Sequence, residues 1–159
     1  MKNNLTFYKF KENKIMRYKI PIKTVIIEGG GNHLLVDCKI NKKEFILLID
    51  TGASSSIFDI NNDICKETDL EMVENSGTSS GFNSEIENLR VGNITSLKLN
   101  KFKIELENAL FTSLNHINKI YKSVKLPQIA GILGCDFLIK HNAIIDLSKQ
   151  ILVLEKNKH

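Results

Sequence analysis

One stretch constrains this chain more than any other: Phe45-Ile46-Leu47-Leu48-Ile49-Asp50-Thr51-Gly52-Ala53-Ser54-Ser55-Ser56. It begins as an unbroken apolar run, the pattern of a strand buried on both faces. The run stops at an acid, a hydroxyl residue and a glycine. A carboxylate at the end of a buried strand is costly unless something compensates it. Thr51 offers a hydroxyl, and Gly52 lets another backbone come close. An ionisable group in a desolvated setting is where protonation equilibria shift and chemistry occurs, so Asp50 is the candidate reactive group.

The flanking sequence supplies the frame. Tyr18 to Ile27 alternates, with Tyr18, Ile20, Ile22, Thr24 and Ile26 on one face, and Pro21 suggests an edge strand. Leu34 to Ile40 and Glu44 to Ile49 form a hairpin that delivers Asp50. Asp59 is expected to cap a short helix running to about Thr68. Leu70 to Val73 is a short strand. Residues 75–84 are small and polar, a flexible loop by composition. Ile86 to Phe111 reads as three strands with turns at Gly92-Asn93 and Asn100-Lys101. Ser113 caps a helix carrying Leu114, Ile117, Ile120, Tyr121 and Val124, and Pro127 ends it. Ile129 to Leu133 is a strand, Gly134 opens a helix to His141, and the chain closes with a hairpin from Ala143 to Leu154.

Two segments together carry a family resemblance. Leu48-Ile49-Asp50-Thr51-Gly52-Ala53-Ser54 resembles the active-site signature of aspartic proteases. Ile129-Ala130-Gly131-Ile132-Leu133-Gly134-Cys135-Asp136-Phe137-Leu138 resembles the apolar-apolar-Gly strand and helix of the retroviral-type, single-lobe members. A buried strand ending in a turn would account for Gly52, but not for the second segment. The resemblance to this retropepsin-like family covers about Lys19 to Leu154. It implies an all-β acid-protease barrel with two or three short helices, one lobe per chain. The domain would span 18–156, with 1–17 a flexible arm.

The resemblance also assigns roles. Asp50 would be catalytic, with Thr51, Gly52 and Ala53 supporting its loop. Gly77, Ser80, Gly81 and Phe82 would belong to a flap over the substrate. Gly131, Ile132, Leu133 and Gly134, with Asp136, would brace the loop from beneath. Hydrolysis by this chemistry needs two carboxylates around one water, one as base and one protonated as acid. Two carboxyls so close share a proton. Asp37, Asp59, Asp63, Asp69, Asp136 and Asp146 all lack a following Thr-Gly or Ser-Gly. The second acid is therefore expected from a second copy of the chain in a two-fold homodimer. Ala53 cannot donate a hydrogen bond to the carboxylate pair as a serine would, which points to a less acidic activity optimum.

Composition narrows the partners. The 159 residues suit one domain, and no apolar stretch reaches membrane-spanning length. The net charge of +4 is spread among interspersed acids and bases, a solvated surface and not a nucleic-acid footprint. Cys38, Cys65 and Cys135 are scattered and odd in number, which argues against a disulfide framework and for a reducing compartment. No histidine or cysteine pair has metal-ligand spacing, and no cofactor is implied. The first ten residues have no apolar signal core, so a cytoplasmic location is expected. The reading is an endopeptidase acting on polypeptides. The alternative is a catalytically weak module that dimerises or binds peptides on the same fold.

Overall fold

The computed structural model describes residues 14–157 apart from 28, 30, 69 and 73–88. The stretch expected as one strand over 18–27 is two: β1 (Ile15–Pro21) and β2 (Lys23–Ile27) join different sheets. Pro21 has no N–H to donate, and Ile22 donates its own to the Gln150 carbonyl at 2.8 Å. This bend switches the inward face. Ile20 and Ile22 are buried before it and Ile27 after it, while Thr24 and Ile26 face solvent. The expected apolar face holds only as far as Ile22.

β3 (Gly31–Ile40) and β4 (Lys43–Ile49) form the expected hairpin, with Ile40 opposite Lys43. Asn41 and Lys42 have φ of 47° and 73°, the paired positive values of a type I′ turn whose twist matches that of the strands. β4 is buried on both faces, as its apolar run requires. Leu47 and Ile49 enter the main core, and Ile46 and Leu48 enter a second one.

The chain then forms β5 (Ile57–Asp59), a short 3-10 helix (Asp63–Glu67) and β6 (Leu70–Met72). Asp59 does not cap that helix. Asn62 does, its side chain accepting the Ile64 N–H at 3.3 Å. Among the described residues, β7 (Arg90–Leu99) and β8 (Phe102–Thr112) form one long hairpin where three strands were expected. Asn100-Lys101 is its turn. Gly92-Asn93 is a bulge: the register jumps from Gly92↔Ala109 to Ile94↔Leu106, and Asn93 accepts the Asn108 N–H at 2.9 Å. A bulge keeps the strand running where a turn would end it.

Helix α1 (Asn115–Ser123) has Leu114 at its N-cap, not the expected Ser113, which lies one residue earlier and whose hydroxyl accepts the Asn115 N–H at 3.3 Å. β9 (Gly131–Leu133), helix α2 (Cys135–Lys140), β10 (Ile144–Asp146) and β11 (Ile151–Asn157) follow. Eight strands form one sheet in the order β2-β3-β4-β9-β5-β8-β7-β6, and a further pairing of β3 with β7 closes it into a barrel. The other sheet is β1-β11-β10, and its Ile20, Leu152 and Leu154 pack into the barrel core. The fold is mostly β with few short helices, as the sequence implied. The second apolar cluster lies on the other face of β3, β4 and β9, beneath α1.

Candidate active site

β9 is the keystone of the site. It enters between β4 and β5, parallel to the first and antiparallel to the second. Leu47, Leu48 and Ile49 pair with Gly131, Ile132 and Leu133. The ladder reaches Asp50, whose N–H donates to the Leu133 carbonyl at 3.1 Å. Gly131 is required by this threading. A Cβ there would lie 2.7 Å from the Phe58 ring and 2.9 Å from the Ile57 carbonyl oxygen.

The loop after β4 is tight. The Asp50 Oδ1 accepts the Gly52 N–H at 2.8 Å, and the Asp50 carbonyl accepts the Ala53 N–H at 3.2 Å. The carboxylate at the end of the buried strand is thus compensated by backbone and is itself half-buried. Thr51 and Gly52, at the tip, are exposed.

Beneath the tip, α2 is fastened to the loop. Cys135 and Asp136 donate their N–H groups to the carbonyls of Ala53 and Ser54, at 2.8 and 3.2 Å. The Cys135 thiol donates to the Thr51 carbonyl at 3.1 Å. The Asp136 Oδ1 accepts the Ser56 N–H at 2.8 Å and the Ser56 hydroxyl at 2.7 Å, and the Ser56 Oγ accepts the Gly134 N–H at 2.9 Å. Gly134 sits so close that a Cβ would lie 2.6 Å from the Ser55 carbonyl carbon. Thus Asp50, Thr51, Gly52 and Ala53 come together with Gly131, Ile132, Leu133, Gly134 and Asp136. Gly77, Ser80, Gly81 and Phe82 lie outside the described residues.

Sequence reasoning missed three sets of contacts. Ser56 is the hub between loop and helix. Its only signal was its place as the last polar residue before the apolar Ile57. Asp59 is 3 % exposed and its two oxygens accept the Leu114 N–H and the Asn118 amide, at 3.1 and 2.9 Å. Asn118 also exchanges two hydrogen bonds with the Ile129 backbone. Third, His33 Nδ1 and the Tyr121 hydroxyl lie 2.7 Å apart in a hydrogen bond. Burial pushes the Tyr121 hydroxyl up, so it stays protonated at neutral pH. No sequence spacing announces pairs so far apart along the chain.

The other described aspartates are engaged locally: Asp37 with Lys23, Asp63 with Lys66, Asp146 with Ser148 and Lys149. A cleft of about 680 Å³ opens elsewhere, lined by Ile20, Pro21, Asp37, Phe45, Ile46 and Lys98 among others, and none of the loop residues borders it. The candidate site is therefore defined by the carboxylate and its scaffold, apart from this cleft. Among the described residues no cluster of His, Cys, Asp and Glu is arranged to hold a metal, and no helix is long and apolar enough to cross a membrane.

Comparison with known proteins agrees with this geometry. Residues 36–137, well over half the chain, match the family described as aspartyl protease. A retropepsin-like aspartic protease from Rickettsia conorii is similar in structure, at 16% identity, with 96% of this chain and 100% of that one covered and a TM-score of 0.51. The retroviral protease-like domain of Ddi1 from Leishmania major shares 20% identity, with 77% and 87% covered and a TM-score of 0.50. At these identities the structural likeness speaks for the fold. No curated protein sequence matches significantly.

Proposed function

The chain belongs to the aspartyl protease family, and from that premise we propose that it is an endopeptidase that works as a homodimer. Each copy contributes Asp50. One carboxylate takes a proton from water, and the other, protonated, donates to the oxygen of the scissile carbonyl. The observation carrying this reading is the exposed tip of the loop at Thr51 and Gly52, beside a carboxylate that has no described acidic partner in its own chain. A second copy meeting this tip would bring the two Asp50 side chains together. The Thr51 hydroxyl would then bond across the axis, and Gly52 would permit the approach.

The substrate is a polypeptide bound in extended form by strand-like pairing. Nucleic acid, membrane and cofactor have no part in the proposal. A cytoplasmic location belongs to it as well, supported by three cysteines that are all free. Ala53 adds no hydrogen-bond donor to the carboxylate pair, so activity should extend well above about pH 4, the ordinary carboxyl range. Digestion of a peptide library at several pH values tests the reading, with Asp50→Asn as control. The expected outcome is cleavage by the parent, reduced at least about a thousandfold in the variant, as for loss of a general acid–base group. Undiminished cleavage by the variant removes Asp50 from the mechanism. Peptide binding without cleavage by the parent would make the chain a binding module.

A further inference from the structure

The barrel wall has a breach on one side of β3. That strand pairs with β2 as far as Lys23↔Leu35 and with β7 from Lys39↔Lys98. Over residues 36–38 neither strand lies beside it. The chain before Lys23 belongs to the other sheet, and β7 ends at Leu99. The cleft of about 680 Å³ lies here, bordered by Pro21 and Lys23 on one side and by Lys98 and Asn100 on the other. Its apolar lining comes from Ile20 and Cys38, both buried, and from Phe45 and Ile46, both half-buried. The margins are tied down. The Ile22 N–H donates to the Gln150 carbonyl at 2.8 Å, and the Asn100 amide donates to the Lys19 carbonyl at 3.0 Å. An apolar cleft with a few polar groups at its rim is the usual form of a binding site.

The charge at the rim is uneven. Strand register sets Glu44, Lys39, Lys98 and Lys103 in one row across β4, β3, β7 and β8. Residues directly opposite share a face, and like charges placed so are unfavourable. Lys39 is relieved by Glu44 at 2.9 Å, and Lys23, at the other margin, by Asp37 at 2.6 Å. Lys98 stands between two lysines and has no acidic partner among the described residues. It is exposed, as are both neighbours. An anion seated in the cleft would relieve the row.

We propose that this cleft docks an acidic, partly apolar segment of a polypeptide in extended form. Successive side chains of an extended chain point to opposite faces. A segment that alternates apolar and acidic residues turns one set to the apolar lining and the other to Lys98 and its row. A uniform polyanion would fit worse, because Asp37 and Glu44 also stand at the rim. Phe45 lies five positions before Asp50, about 17 Å at the rise of a strand. The site is therefore separate from the loop acid and does not rest on the endopeptidase reading.

The full chain carrying Asp50→Asn, in which a peptide is not consumed, is the protein to use. Fluorescence anisotropy reads binding of a labelled octapeptide of alternating Leu and Glu. Replacing every Glu by Gln, or every Leu by Ser, should weaken binding at least about fivefold. Lys98→Glu should weaken the Leu/Glu peptide by at least about fivefold, the upper scale of an exposed ion pair, and Lys98→Arg should keep its affinity. Lys119→Glu, on α1, changes the net charge equally and should alter binding less than about twofold. Thermal unfolding confirms that each variant is folded. No binding of the Leu/Glu peptide overturns the proposal. So does an equal loss from Lys98→Glu and Lys119→Glu, or an oligonucleotide of equal charge bound as tightly. A parent chain that leaves a peptide library uncut, while the Leu/Glu peptide binds through Lys98, loses the endopeptidase reading and keeps this site. A cut library without such binding does the reverse.

Discussion

At the scale of single residues, the site depends on groups that leave no slack. Gly134 has an ordinary backbone conformation, with φ of −91°, so its value lies in the space it leaves. A methyl group there meets the Ser55 backbone at 2.6 Å and the Ala53 carbonyl oxygen at 2.9 Å. Neither can yield without moving the loop that holds Asp50. Gly134→Ala should cost about 1–3 kcal/mol, the range for overpacking, read as a lower urea midpoint. His141 makes a second prediction. It is 9 % exposed, lies against the rings of Phe102 and Phe137, and its Nε2 has no partner. Burial, mainly, holds its pKa below the ordinary value of 6.5. The unfolded chain then binds the proton more readily than the folded one. Stability should be level above about pH 6.5 and fall as pH drops below it. His141→Phe should flatten that slope in urea titrations between about pH 5 and 8. Asp50, Thr51 and Gly52 were legible in the sequence because their chemistry is local. Ser56 was not, since its importance comes from Gly134 and Asp136, almost eighty positions away.

At the scale of elements, the sequence showed type and order better than boundaries. The apolar run of β4 could be read because burial on both faces leaves no polar position. The bend at Ile22 was hidden, because alternation on each side of it looks continuous until the change of parity is seen. Gly92-Asn93 suits a turn as well as the bulge that forms there. Register decided between them. In α1 the helical spacing was right, but Ile120 and Val124 face solvent while Leu114, Ile117 and Tyr121 turn inward. The buried amide of Asn118 makes this helix dependent on one side chain. Asn118→Ala would leave the Ile129 N–H and an Asp59 oxygen unpaired in the interior. The expected loss is about 2–4 kcal/mol, on the scale of about 1–3 kcal/mol per buried group left unsatisfied and more where it is charged. Chemical denaturation would measure it. Hydrogen exchange should show α1 amides losing protection before those of β4.

At the scale of the whole molecule, the three-stranded sheet has a bearing on assembly. β11 is paired on both sides within its own chain, by β1 and by β10. Over residues 151–153, where β10 pairs, its backbone is therefore not free to pair with a second copy. If two copies together make the site, activity should follow mass action. Well below the dimer dissociation constant, a tenfold dilution should lower the rate about a hundredfold, and above that constant the unfolding temperature should fall on dilution. A rate that stays proportional to concentration, with a monomer mass in solution, would oppose the dimer. The sequence alone picked out the candidate acid, the strand that carries it and the segment that braces its loop, because each is a short run that can be read without its distant neighbours. Only the tertiary structure decided that Ser56 joins loop to helix, and that Asp59 and Asn118 lock α1 over the second apolar cluster. Those contacts join positions far apart along the chain, and a linear order of residues holds no record of which distant ones meet when the barrel closes.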